Sequence, residues 1–274
     1  MSNKHLFIVC MNNGGSTLLH HYLSECNSVV ALPRKSDQKQ LTRDDAITGA
    51  GPATSSEGHN HAKGAMPHPR RQGVLGIWTE KPDLISNDKN YDWEMVKKRW
   101  FEAWEVSAGK PLENMVLLEK SPPNVIRAGL LQRHFPNSYF ILMVRDPYAL
   151  SEGLRRRLGY KIERCAAHWG ESMRFQINNL KILNNVVWMK YADLCDNQKL
   201  VKEKIKKLLP ELEDLSFGGK LSGHHSMYGK KAMTIRNLNS NQIKNLSRND
   251  IIRINGVLHK YEKELIFFGY KMRA

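Results

Sequence analysis

Three short stretches of this chain carry residue types that bind or transfer anionic groups. The first is "FIVCMNNGGST", residues 7 to 17. An apolar run ends in Gly14-Gly15, and Ser16 and Thr17 open a helical pattern. A strand that turns through glycines into a helix aims several backbone N–H groups at one point, and the helix dipole adds positive potential there. The Ser16 and Thr17 hydroxyls add donors to that point or simply cap the helix. The stretch is not GxxxxGK[ST], the phosphate loop of nucleoside triphosphatases. Asn12 and Asn13 stand where such loops carry Lys or Arg. The second stretch is "LLEKSPP", 117 to 123, in which Glu119 and Lys120 close an apolar run. A lysine there is placed to stabilise charge developing on a transferred group; the bland alternative is a surface ion pair with Glu119. The third is "MVRDPYALSEGLRRR", 143 to 157, where Arg145 closes another apolar run. An unpaired arginine at the carboxyl end of a buried strand suits bidentate contact with phosphate. An internal pair with Asp146 or Asp193 is the structural alternative.

Elements able to position these residues are legible along the chain. Leu6 to Cys10, Val29 to Leu32, "MVLLEK" (115 to 120), "YFILMVR" (139 to 145) and "VVWMKY" (186 to 191) read as strands. Helices are expected from Ser16 to Ser24, over 91 to 106, from Pro122-Pro123 to about His134, and from Asp146-Pro147 through about Arg157. Further helices are expected over Ile162 to Leu183, Lys199 to Leu209 and 248 to 270. Strand and helix alternate, which predicts an α/β fold: a three-layer α/β/α sandwich on a central parallel sheet, of the P-loop nucleotide-binding-like kind. One domain spans 1–274, with a long variable loop or insertion at about 33–90. Trp93, Val96, Trp100 and Trp104 share one helix face and are assigned to the core rather than to a sugar-stacking platform.

Lys and Arg number 42 against 27 Asp and Glu, a net charge of +15. That balance favours a polyanionic partner: nucleic acid, an anionic membrane surface or a polyphosphorylated nucleotide. No helix-turn-helix, zinc finger or RNP-like pattern is present, so nucleic acid is not the expected partner. Cys10, Cys26, Cys165 and Cys195 are scattered, which suits reduced thiols. Leu6 to Met11 is too short for a signal-peptide core and no run is long enough to span a membrane, so the expected location is cytoplasmic.

The ordered set of a Gly-Ser-Thr loop, "EKSP" at 119 to 122, "RDP" at 145 to 147 and "YADL" at 191 to 194 resembles the sulfotransferases that use 3′-phosphoadenosine-5′-phosphosulfate (PAPS), most of all their bacterial and carbohydrate-type branches. A final amphipathic helix ending "FGY" fits the same pattern. The resemblance implies the sulfotransferase fold and transfer of a sulfuryl group from PAPS to a hydroxyl or amine of a small-molecule, lipid or glycan acceptor. Adenosine 3′,5′-bisphosphate leaves and no metal is required. It implies that Asn13, Gly14, Gly15, Ser16 and Thr17 hold the 5′-phosphosulfate and that Arg145 holds the 3′-phosphate. It also implies that a basic segment before the last helices, here Lys230 and Lys231, touches the nucleotide.

Two positions depart from the family. The loop's cation is replaced by Asn13, with Lys120 the best-placed substitute and Lys4 or His5 as alternatives. The family's 3′-phosphate serine falls at Gly153, which leaves Ser151, Arg155 or Arg156 to serve. The resemblance places the base in "SSEGHNHAKGAMPHPRR" (55 to 71): Glu57 first, then His59 and His61. The HxH spacing with His68 invites a metal reading, but no Asp, Glu or Cys completes a zinc pattern. Loop residues exposed to solvent are the plain alternative for all four. The competing functions are an inactive relative that only binds nucleotide, and a P-loop kinase-like enzyme.

Overall fold

The computed structural model describes residues 2–33, 57–68, 77–218 and 235–274. Five strands make one sheet: β1 (Lys4–Cys10), β2 (Val29–Ala31), β3 (Val116–Lys120), β4 (Ser138–Val144) and β5 (Val186–Lys190). Their order is β2-β3-β1-β4-β5 and every pairing is parallel. The chain leaves β1 towards β2, returns to β3 on one side of β1, then crosses to β4 on the other. β1 is therefore the central strand, and its carboxyl end lies at the reversal of winding where open α/β sheets bind ligands.

The helices among the described residues are α1 (Ser16–Ser24), α2 (Gly58–His61), α3 (Pro82–Ser86), α4 (Trp93–Ala108), α5 (Asn124–His134), α6 (Pro147–Leu158) and α7 (Ile162–Ile182). After β5 come α8 (Tyr191–Asp196), α9 (Gln198–Leu208), α10 (Asn239–Lys244), α11 (Arg248–Leu258) and α12 (Glu262–Phe267). Alternate strand residues enter two separate cores. Phe7, Val9, Leu117, Phe140 and Leu142 pack with Trp100, Trp104, Leu131, Leu154 and Trp169 from α4 to α7. Leu6, Ile8, Leu118, Ile141 and Met143 pack with Leu19 and Leu23 of α1 and Val201 and Ile205 of α9. These two cores are the interfaces of a three-layer sandwich, as expected.

Local chemistry explains where the key helices start and stop. Asp92 caps α4 by accepting from Met95 N at 3.0 Å, and Gly109 ends it at φ 64°. Trp93, Trp100 and Trp104 are all buried, which settles them as core. Full burial of such rings contributes roughly 1.5–3 kcal/mol each. Asp146 caps α6, accepting from Tyr148 N (2.9 Å) and Ala149 N (3.0 Å), with Pro147 in the first turn.

Three expectations are corrected. β5 stops at Lys190, and "YADL" is the short helix α8, capped where Asp193 accepts from Lys190 N. The helix expected over 248 to 270 breaks into α11, a 3-10 turn at His259–Tyr261, and α12. The break coincides with Tyr261 docking on Gly170 of α7 and donating to Glu171 Oε1 at 2.7 Å. Within the insertion, α2, α3 and a 3-10 turn at Trp78–Glu80 are formed, and Met66, Trp78 and Ile85 are buried. Elements this short show no periodicity in a sequence.

Candidate active site

The loop after β1 is built around two glycines. A side chain on Gly14 would meet Cys10 Sγ at 2.3 Å. Gly15 has φ 101°, a left-handed conformation that glycine adopts without strain, and a Cβ there would lie 2.4 Å from the Tyr191 ring. Asn13 is also left-handed, at φ 62°, which asparagine tolerates better than most residues. Gly14 N donates back to Met11 O at 3.1 Å, closing the turn. α1 then starts without a side-chain cap. Leu18 N donates to Gly15 O at 3.0 Å, so the first turn closes on the loop's own backbone.

Arg145 follows β4 directly and is buried. Its Nη1 donates to Asn13 O at 2.6 Å, its Nε to Asn239 Oδ1 at 2.9 Å and its Nη2 to Gln242 Oε1. The guanidinium lies 4.0 Å from the centre of the Tyr191 ring, which also borders Gly15 and whose hydroxyl donates to Arg236 O at 3.3 Å. Trp169 Nε1 donates to Arg145 O at 2.8 Å, anchoring the backbone from below. Among the described residues no carboxylate hydrogen-bonds this arginine: Asp146 caps α6 and Asp193 caps α8. The internal ion pair is thus ruled out. Burial depresses the guanidinium pKa, opposed chiefly by Tyr191. A buried cation ringed by neutral acceptors is an arrangement whose electrostatic demand only an anion meets in full.

Lys120 ends β3 opposite Ile8 of β1. It is buried, and its Nζ meets Glu57 Oε1 at 3.1 Å rather than pairing with Glu119. The other Glu57 oxygen lies 3.4 Å from His59 Nε2. Burial lowers the His59 pKa to about 3, only partly offset by Glu57, so its ring is neutral near pH 7. Glu57 retains about a quarter of its side-chain exposure (23%), while His59 and His68 are buried. Residues 57 to 68 are therefore a packed segment rather than a solvated loop. Glu119 fastens it. This fully buried carboxylate accepts from Gly58 N (2.8 Å), Asn124 Nδ2 (2.6 Å) and Ser121 Oγ, with Arg127 Nη2 at 3.9 Å. Trp100 Nε1 donates to Gly58 O at 2.9 Å. The backbone beside Glu57 is thus held from both sides.

Cys10 links the two clusters. Burial raises its thiol pKa to about 12, opposed by hydrogen bonds from Ser16 and by the positive charges of Lys120 and Arg145. The loop, Lys120 and Arg145 thus surround the carboxyl end of β1.

Other expected residues fall elsewhere. Ser151 is fully buried and its hydroxyl donates to Pro147 O at 2.7 Å, facing the α6 backbone. Arg155 pairs with Asp250, and Arg156 with Glu152 at 2.8 Å. Lys4 pairs with Glu211, and His5 Nδ1 lies 3.0 Å from Pro136 O, both at the amino end of β1 and away from the loop. His61 Nε2 meets Pro33 O at 3.1 Å, and His68 Nε2 meets Asn60 Oδ1 at 3.2 Å. Among the described residues no three His, Cys, Asp or Glu side chains converge as metal ligands. No helix among them is long and apolar enough to cross a membrane. Lys230 and Lys231 lie outside the described residues.

Sequence reasoning did not single out Tyr191, Asn239, Gln242 or Arg157. Tyr191 was accessible to the strand-end rule that found Arg145. Arg157, whose Nη1 donates to Asn13 Oδ1, was accessible to helical spacing, because it lies four residues after Gly153. The two amides of α10 carry no local signal.

A family model described as the sulfotransferase family matches residues 5–210. No curated protein matches the chain in sequence. Among solved structures, the chain is similar to the sulfotransferase domain from the curacin biosynthetic pathway, with TM-score 0.55, 19% identity and 99% of each chain covered. It is similar to the sulfotransferase domain of the Synechococcus PCC 7002 olefin synthase, with TM-score 0.53, 16% identity and 94% of each chain covered. It is also similar to a sulfotransferase from Alicyclobacillus acidocaldarius, with TM-score 0.52, 13% identity and coverage of 99% of this chain and 98% of that one. At these identities the structural likeness speaks for the fold.

Proposed function

The chain belongs to the sulfotransferase family, and from that premise we propose that it transfers a sulfuryl group from PAPS to a hydroxyl or amine of a small-molecule, lipid or glycan acceptor. The observation that carries the proposal is Arg145: a buried arginine at the carboxyl end of β4, beside the Gly14-Gly15 loop, bonded only to neutral acceptors among the described residues. A nucleotide 3′-phosphate would replace those acceptors with charge-assisted bonds.

In this proposal the residues divide the work. Backbone N–H groups of residues 15 to 17 receive the 5′-phosphosulfate at the head of α1. The acceptor oxygen or nitrogen forms a bond to sulfur as the bond from sulfur to the phosphate oxygen breaks. Glu57 takes the proton from the acceptor, and adenosine 3′,5′-bisphosphate leaves with the bond electrons. Lys120, 3.1 Å from Glu57, orients that carboxylate and supplies positive charge beside the reacting groups, a role Asn13 cannot fill. Catalysis then rests on positioning and charge stabilisation.

Thermal melts of the purified protein with adenosine 3′,5′-bisphosphate, AMP and ATP test the donor. A ligand that binds only the folded state raises the melting temperature. The expected result is a rise with the bisphosphate well above that with AMP or ATP, lost in Arg145→Ala. An equal rise with ATP, or none with the bisphosphate, would overturn the proposal. Sulfur-labelled PAPS with a panel of alcohols and amines then identifies the acceptor.

A further inference from the structure

Asn13 and Gly153 are the two positions where this chain departs from its family's donor site, and the structure brings them together. A Cβ on Gly153 would lie 3.1 Å from Asn13 Nδ2 and 2.7 Å from Gln242 Nε2. The place a serine hydroxymethyl would take on α6 is thus shared by the Gln242 and Asn13 amides. Asn13 Oδ1 accepts from Arg157 Nη1, while Nδ2 is buried with no hydrogen-bond partner among the described residues. A buried donor without an acceptor is costly, about 1–3 kcal/mol. Its orientation is nonetheless fixed, because the arginine holds the oxygen and leaves the nitrogen turned towards α6. Asn13 O accepts from Arg145 Nη1 at 2.6 Å. One residue therefore joins both arginines and presents an unpaired N–H beside Gly153.

We infer that the two departures compensate each other and build a re-engineered 3′-phosphate site. Asn13 Nδ2 replaces the hydroxyl donor missing at Gly153, and Arg157 adds a second cation to Arg145. Gln242 Oε1, now on Arg145 Nη2, stands where a phosphate oxygen would bind and moves aside when the nucleotide enters. Arg155 and Arg156 are engaged with Asp250 and Glu152, which leaves Arg157 as the arginine of the triplet that reaches the loop. Gly153 and Arg157, four apart on α6, face it together. The site would take a nucleoside 3′-phosphate. This inference rests on the sulfotransferase proposal above.

The test is calorimetric titration of adenosine 3′,5′-bisphosphate and AMP into wild-type protein and variants whose melts show a retained fold. The preference for the bisphosphate is the readout. Asn13→Asp keeps the size and the Arg157 contact but replaces the donor with a carboxylate oxygen. It should abolish the preference, and Arg157→Ala should lower it about tenfold, as for one hydrogen bond to a charged group. Gly153→Ser should also lower it, because serine and Asn13 compete for one space. The double variant Asn13→Lys/Gly153→Ser should recover more than the two single changes predict, a coupling that a double-mutant cycle reads directly. If Asn13 only tethers Arg157, Asn13→Asp keeps the preference and the inference falls while the donor proposal stands. If the wild-type protein itself does not prefer the bisphosphate to AMP, the donor proposal falls and this inference with it.

Discussion

Glu57 divides its carboxylate between Lys120 and His59, and the two neighbours differ in what they can do. His59 is buried and its pKa is driven down to about 3, far from the value at which a base works efficiently near neutrality. The histidine therefore supports Glu57 rather than competing with it. Glu57→Gln keeps the shape and a hydrogen bond but removes the proton acceptor. With PAPS and a confirmed acceptor, kcat should fall about 10²- to 10⁴-fold while affinity for adenosine 3′,5′-bisphosphate is preserved. Steady-state rates beside titrations check this. An unchanged kcat would return the base to another group. The placement of Glu57 was only half legible. The family pattern pointed to the residue, but the sequence left an ion pair between Glu119 and Lys120 open as the alternative. What decides the matter is that Glu119 turns into the core and fastens Gly58, a contact spanning 61 residues.

Elements show the same division between local and distant causes. The strands announced themselves as apolar runs because the parallel sheet is covered on both faces, and Arg145 was found because it terminates one of those runs. α8 and α10 were missed, since six residues give too short a pattern to show a period. The partners that α10 supplies to Arg145 come from 94 and 97 residues along the chain, beyond any spacing rule. That helix has a measurable consequence. Gln242 holds Arg145 through a bond to a charged group, of the kind worth about 1.5–3 kcal/mol, and phosphate must displace it. Gln242→Ala should therefore tighten binding of adenosine 3′,5′-bisphosphate by about threefold or more, a modest part of that energy because water replaces the amide. An unaltered dissociation constant by calorimetry would mean that Gln242 keeps its place when the nucleotide binds.

The molecule as a whole is strongly basic, at +15, and it also buries histidines in neutral form. Burial lowers His59 to about 3 and His168 to about 4 from a reference of 6.5. Between roughly pH 6.5 and pH 4 the unfolded chain binds protons that the folded chain refuses, so stability rises with pH across that window and falls on acidification. The slope approaches about 1.4 kcal/mol per pH unit for each such histidine. Urea midpoints should accordingly be highest at or above pH 7 and decline from pH 6.5 to 5. His168→Gln should flatten that decline, which separates the histidine contribution from the repulsion of an increasingly positive surface. A midpoint independent of pH over this range would contradict the burial of these rings. Net charge was plain in the sequence; that particular histidines are sealed in the core was not, because burial is a property of the assembled layers.

The hydrogen bond from Trp169 to the Arg145 carbonyl gives the protein an optical property. Of six tryptophans in the chain, Trp169 is fully buried, as Trp100 and Trp104 are, and its indole N–H is tied to the backbone of the arginine at the centre of the proposed donor site. An indole's emission responds to the charges and dipoles around its ring. Exchange of the Asn239 and Gln242 amides for a dianion next to Arg145 would alter that field without any added label. On the proposed function, Trp169 would be a built-in fluorophore wired to the donor site, and its emission would follow nucleotide arrival and departure on the timescale of mixing.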